Sequence, residues 1–467
     1  MVKRLGFSIA LVVISLFAQE QAIQQQEKVS PMGRGQSQLH KLNLPDGRKG
    51  WKLTLPEQRP LATPALEDGL LFVGGGFGGY EFYAIDARTG KQVWQFHTGD
   101  DGPTAAVVKR GYVVFNTESC ILYVLKAKTG EVVWQKWLGD PLMNQPAVEG
   151  DKVYMAFPGG DGKHYLICLG LKDGAEIWKV PIAGDLISAP VVDKSSVYIT
   201  TLEGTVYRFD SQTGKSLWAE KKNATSAPFI WNDQVFVSLR SETDSLTPDK
   251  KVVKQQNEGL GSLANSSGQL NQKTLWAEQR ADYLVYNPES RYAQAQKSMD
   301  AGVGFAAAPP SAKLEQAQGN LGVATVAGTW EYQGSRPAIT NDRLYSAMGD
   351  NLQCLDAKTG KNYWTQSYKT DKDLGNRGLT PPSLTQNKVF VGTTGGEIIC
   401  YNATDGKLLW HYNVGEPIRF QPAIYQGAVY FTTDQGNVYC IETGDPADDG
   451  WHMWGGNAAH NGLTGTE

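Results

Sequence analysis

The chain has 467 residues, 41% of them hydrophobic, and a formal net charge of −4. That length can bury one or more substantial cores, and the slightly acidic balance excludes the basic face that nucleic acid or an anionic membrane would require. The 52 glycines and 13 tryptophans fit a fold with many tight turns and regularly placed large aromatics, which is all-β.

Residues 1–22 read as an export signal. Lys3 and Arg4 supply a positive start, and Phe7–Phe17 is a mostly apolar run of eleven residues. Such a run is short for a membrane-spanning helix and suits a signal-peptide core, either cleaved near Ala18 or Ala22 or retained as an anchor. Residues 23–48, rich in Gln and Ser, read as a disordered leader. The protein is therefore expected to be exported to the periplasm or another extracytoplasmic space, with no transmembrane span once the signal is removed.

A turn followed by a tryptophan strand then recurs. It appears as DARTGKQVW from Asp86, KAKTGEVVW from Lys126, GLKDGAEIW from Gly170, DSQTGKSLW from Asp210, DAKTGKNYW from Asp356 and NATDGKLLW from Asn402. In five of the six an Asp or Asn can bond its own backbone, and in each Gly supplies a positive φ and a short strand ends on a Trp that can pack on the neighbouring unit. Trp51, Trp94, Trp134, Trp178, Trp218, Trp364 and Trp410 mostly lie 40 to 46 residues apart, one four-stranded blade each. The long gap before Trp364 calls for one more unit, and Trp330 fills it. A second marker gives the same count. Pro64, Pro146, Pro190, Pro228, Pro337, Pro382 and Pro422 each stand seven residues before an apolar position of a strand, with Ala106 in the equivalent place in the second unit. A proline costs no ladder bond at a strand start. The expected fold is an eight-bladed β-propeller of four-stranded antiparallel blades.

Between these markers, the GGGFGG run at Gly74–Gly79 lies between strands rather than before a helix, so it reads as a hairpin and not a phosphate loop. Residues 241–326 read as an insertion in blade five. Its first part is polar and loop-like, Tyr283–Met299 suits a helix, and GVGFAAAPPSA is linker; a loop of this length is either functional or disordered. After Trp410 three strand-like pieces remain without a clear tryptophan strand. The economical closure places the Trp51 strand beside them, with Trp454 as the rival, and leaves WHMWGGNAAHNG beyond the closed ring. The propeller thus spans residues 49–460, with 461–467 as a tail.

The apolar strand, D-x-x-T-G turn and Trp-ended strand closely resemble the pyrroloquinoline-quinone-like (PQQ-like) propeller repeat. That resemblance covers about residues 49–460 apart from the insertion. It implies a family that includes non-enzymatic, BamB-like outer-membrane assembly propellers and the larger quinoprotein dehydrogenases. The dehydrogenases, as the resemblance implies, hold calcium with carboxylate and amide ligands, use a catalytic Asp and in many members carry a vicinal disulfide. This chain has no adjacent Cys pair and is markedly shorter.

Candidate residues are few. Cys120, Cys168, Cys354, Cys400 and Cys440 include no C-x-x-C; four occupy one repeat position, where other blades place Ala84, Val124 and Arg208, and they are expected to be buried free thiols. The six histidines lack metal-ligand spacing, and no catalytic motif is present. Glu57, Asp100, Asp140, Asp185 and Glu416 each follow their Trp by six or seven residues. They are expected on one face as an acidic ring, with Arg336 and Arg419 nearby, either as a partner-binding surface or simply as turn residues. No catalytic, cofactor-binding or metal residue is assigned. The functional expectation is a non-enzymatic scaffold that binds envelope proteins and needs no cofactor. The alternatives are a dehydrogenase dependent on PQQ and calcium, or a ligand- or polysaccharide-binding propeller.

Overall fold

The computed structural model describes residues 36–76, 78–139, 144–184, 188–246, 252–271, 276–280, 335, 337–348, 351–368 and 378–462. Within them the chain forms eight antiparallel sheets, seven with four strands and one with five. Blade one runs Ala65–Glu67, Leu70–Gly74, Glu81–Asp86, Gln92–His97 from axis to rim. The innermost strands of the others are Val107–Lys109, Ala147–Glu149, Val191–Asp193, Phe229–Trp231, Pro337–Thr340, Ser383–Leu384 and Ala423–Tyr425. Each marker proline stands just before or at the start of one of them, where its missing N–H leaves no ladder bond unmade. Ala423–Tyr425 of blade eight lies against Ala65–Glu67 of blade one, so the ring is closed. The chain is an eight-bladed β-propeller.

The turn phrase explains the lock between blades. Asp86 accepts bonds from the Thr89 amide at 2.7 Å and its hydroxyl at 2.6 Å, which fixes the turn. Gly90 then adopts φ +71°, and a Cβ there would sit 2.7 Å from the Trp51 ring of the preceding blade. Only glycine satisfies both demands. The same lock recurs where Trp94 covers Gly130, Trp134 covers Gly174, Trp178 covers Gly214, Trp218 covers Gly268 and Trp364 covers Gly406. The ring is also hydrogen-bonded across: Trp51 Nε1 donates to Ala87 O at 3.0 Å, Trp94 to Ala127 O at 2.9 Å and Trp218 to Asn265 O at 2.7 Å. Trp410 differs because blade eight has no such turn. Arg48 instead donates to Thr443 O and places its guanidinium 4.9 Å from the Trp410 ring centroid.

Closure follows the Trp51 reading. Lys49–Thr54 pairs with Asn437–Glu442, with Trp51 opposite Cys440. One boundary moves: Gln38–Asn43, read as leader, is a fifth strand paired on the outer edge of Lys49–Thr54. Blade five needs a larger correction. Its second and third strands are Gln234–Leu246 and Val252–Ala264, and its outer strand is Trp276–Arg280, with Trp276 opposite Leu260. These lie inside the stretch read as insertion. Trp276, opposite Leu260, stands two ladder positions from the blade-tryptophan place, which in this blade lies opposite Ser262. Its turn glycine is Gly268, in NSSG instead of D-x-x-T-G. Trp330, the remainder of the 241–326 stretch after Arg280 and residues 1–22 lie outside the described residues.

The C-terminal segment is not left over after closure. Trp451, Met453 and Trp454 are buried, and the segment bonds to the inner strands around the ring. The Ile424 amide donates to Trp451 O, Leu66 to His452 O, Val148 to Ala458 O and Val192 to Ala459 O, at 2.6 to 2.8 Å. It therefore fills the space enclosed by blades eight, one, three and four.

Candidate partner-binding face

Antiparallel order sends the hairpins between second and third strands, and the connections from one blade to the next, to one face of the ring. The short inner turns and the glycine turns share the other. The C-terminal segment lies over this second, turn face near blades seven and eight. There Lys388 Nζ binds Asp448 at 2.7 Å and Asp445 at 2.8 Å, and Asp448 is almost fully buried. The hairpin face carries Glu57, Asp100 and Glu416 of the acidic positions read from the sequence.

Those described on this face are held in separate local networks. Glu416 lies on the connection into blade eight. It accepts Lys52 Nζ at 2.8 Å, Thr433 Oγ1 at 2.7 Å, Asn437 Nδ2 at 2.6 Å and Tyr439 OH at 3.2 Å. Burial pushes its carboxyl up, but Lys52 and the other donors outweigh this and hold it below the usual value. Because Lys52 sits on the closing strand, Glu416 is a tie across the ring closure. Arg419, three residues on, pairs with Asp434 of the adjacent hairpin. Glu57 pairs with Arg59 at 2.7 Å. Asp100 accepts the Ser119 amide at 2.7 Å and its hydroxyl at 2.8 Å, joining blade one's exit to blade two's hairpin. Asp140, Asp185 and Arg336 lie outside the described residues.

The sequence reading missed Glu118 and Asp101 beside Asp100. Glu118 sits at the tip of blade two's hairpin and accepts the Gly78 amide at 3.1 Å, which staples the glycine-rich hairpin of blade one to blade two. Burial, then Asp101 and Asp100, lift its carboxyl to about 7. Asp101 is itself raised by burial and by Asp100. The only available signal was positional: Thr117, Thr201, Thr393 and Thr433 open equivalent hairpins, each bonding the residue four later, and Glu118 follows the first. Tyr80 stacks on His97 nearby, and Trp137 stands 63% exposed on blade two's outer strand.

All five cysteines are buried free thiols. Cys168, Cys354, Cys400 and Cys440 each lie directly opposite their blade's Trp, and burial pushes Cys400 and Cys440 up to about 12. Among the described residues, no group of three or more His, Cys, Asp or Glu is placed to hold a metal ion, and no helix is long and apolar enough to cross a membrane.

An eight-bladed ring locked blade to blade by tryptophan and turn glycine is a propeller of the PQQ type. The chain belongs to the family whose model is described as outer membrane protein assembly factor BamB, which matches residues 26–142, 120–296 and 369–460. A tetrathionate hydrolase from Acidithiobacillus ferrooxidans is 23% identical over 385 residues, 77% of this chain and 68% of that protein. A BamB from Burkholderia pseudomallei is 24% identical over 389 residues, 81% of this chain and 83% of that protein. The crystal structure of BamB from Moraxella catarrhalis matches with a TM-score of 0.54 at 15% identity, covering 87% of this chain and 98% of that one; it shares the fold.

Proposed function

We propose that the protein is a non-enzymatic scaffold of the cell envelope, exported to the periplasm or extracytoplasmic space, that binds envelope proteins through its hairpin face. The observation that carries this reading is the state of the acidic positions. Glu57 is taken up by Arg59 of its own loop, Asp100 by Ser119 of the next blade's hairpin and Glu416 by Lys52 of the closing strand, so they shape and brace a surface instead of converging on a common ligand. Membership of the BamB family supports the same reading, as does the segment Trp451–Gly462, which packs into the ring interior and occupies that space. A calcium-bound quinone would need several carboxylate and amide oxygens within about 2.3–2.6 Å of one ion, an arrangement these separate networks do not supply.

An enzymatic reading is favoured by the similarity to a tetrathionate hydrolase across 77% of the chain and by shorter matches to quinoprotein dehydrogenases, such as a quinohemoprotein alcohol dehydrogenase over 20% of the chain. The two readings separate in a pull-down from envelope extract of the source organism. The full chain is compared with Glu57→Gln/Arg59→Gln on the hairpin face and Asp342→Asn/Lys358→Gln on the turn face. The scaffold reading expects a partner captured by the parent and the turn-face variant and lost by the hairpin-face variant. Equal capture by all three proteins would overturn the assignment of the face.

A further inference from the structure

The C-terminal segment is held in the ring by an imidazole with a donor mismatch. His460 is 2% exposed, with Nδ1 2.8 Å from Trp454 O and Nε2 2.9 Å from Pro146 O. Both ring nitrogens therefore face carbonyl oxygens, which only accept. A neutral imidazole has one N–H to give, so one nitrogen must direct its lone pair at an oxygen lone pair. An imidazolium would satisfy both carbonyls but would be a buried charge without a counter-ion. His460 also sits at φ +58°, a left-handed conformation that is unfavourable for a residue with a Cβ. The docked segment is thus held against two local costs at one residue.

We propose that Trp451–Gly462 is an acid-releasable stopper of the propeller's interior, with His460 as its pin. The docked and released states bind the His460 proton differently. When docked, burial pushes the imidazole below its usual value, more strongly than the two carbonyls raise it. When released into water, it regains the ordinary value near 6.5. A group with a lowered value in the docked state favours docking above the free value and opposes it as pH falls. The stopper is therefore seated at neutral pH, and the ratio of released to docked segment rises by up to about tenfold per pH unit below about 6.5.

The groups around the pin do not supply this charge dependence. Glu149 on Ala147–Glu149 and Asp193 on Val191–Asp193 are the titratable residues of the two strands packed on Ala458 and Ala459, and neither is among the causes acting on His460. Within the segment's approach, His452 pairs with Asp449 at 2.8 Å, and Asp448 pairs with Lys388. A His452→Gln variant separates that pair from the pin.

The test is hydrogen exchange of the full-length protein between pH 7.5 and 5, corrected for intrinsic exchange, read at residues 451–462 and at the amides of Leu66, Val148, Val192 and Ile424. In the parent and in His452→Gln, protection of these amides is expected to fall by up to tenfold per pH unit, while blade-interior amides hold. In His460→Asn the profile is expected to be flat. Protection unchanged at pH 5 in the parent, or the same decline in His460→Asn, would overturn the proposal. Should His460→Asn leave the segment undocked at every pH, nitrogen NMR of the parent's imidazoles still decides. A neutral His460 at pH 6.5 supports the stopper; an imidazolium there contradicts it.

Discussion

Replacing Trp51 by Ala removes the side chain through which the N-terminal strand is locked to blade one. Trp51 is 3% exposed, donates to Ala87 O at 3.0 Å, and stacks its ring on the Gly90 turn. Truncating a buried aromatic of this size costs about 3–5 kcal/mol. Ala87 O keeps a second donor, Tyr430 OH at 3.3 Å, so the hydrogen-bond loss adds little. If the propeller melts as one unit, the change lowers Tm by roughly 3–5 °C, and by more if the closing blade melts first. The control is Trp137→Ala, the same chemical deletion at a site 63% exposed, expected within about 0.5 kcal/mol of the parent. Thermal melts and urea titrations of the three proteins read the difference. Equal stability of Trp51→Ala and Trp137→Ala would refute the claim that the N-terminal strand closes the ring.

Further outcomes follow from buried groups. Titration of the denatured, non-reduced protein should find five free thiols; three or fewer would contradict the buried-thiol assignment, and the native protein should react slowly because burial holds the thiols protonated. Glu118→Gln should stabilise the protein at pH 8 but not at pH 5. The wild-type carboxyl, raised from 4.5 to about 7, binds its proton more tightly when folded, so its contribution is present below about 4.5 and is lost as pH rises through about 7. After allowance for solvent screening the gain at pH 8 is about 1–3 kcal/mol, and urea midpoints at the two pH values would show it. Lys388→Ala strands the almost fully buried Asp448 and should cost about 3–5 kcal/mol, read by the same titration.

Blades built on local turn chemistry were legible in the sequence because the signal is short-range. Asp86, Thr89, Gly90 and Trp94 fall within nine residues, and their spacing survives wherever the turn does. Blade five was illegible for the same reason. Its turn reads NSSG, its outer strand starts at Trp276 after a longer connection, and VVKQQNEG in its third strand has the polarity of a loop. The second and third strands run 13 residues each, well past the length of the other blades, so the repeat's rhythm is broken. Gln38–Asn43 was missed because an exposed edge strand has no buried face to impose alternation. The stopper was missed because its aromatics pack against strands hundreds of residues away, as His460 does against Pro146. Asp140 and Asp185 lie outside the described residues, while Glu57, Asp100 and Glu416 lie on connections between blades, where their spacing from each Trp put them. Their partners were not legible, since Lys52 reaches Glu416 only through ring closure.

The central claim, a scaffold whose acidic face does no redox chemistry, is tested most directly by reconstituting the full chain with pyrroloquinoline quinone and calcium and measuring dye reduction with alcohols. The account predicts a rate equal to that of a cofactor-only blank. Turnover above the blank that is lost in Asp100→Asn would contradict it and make the hairpin face an active site.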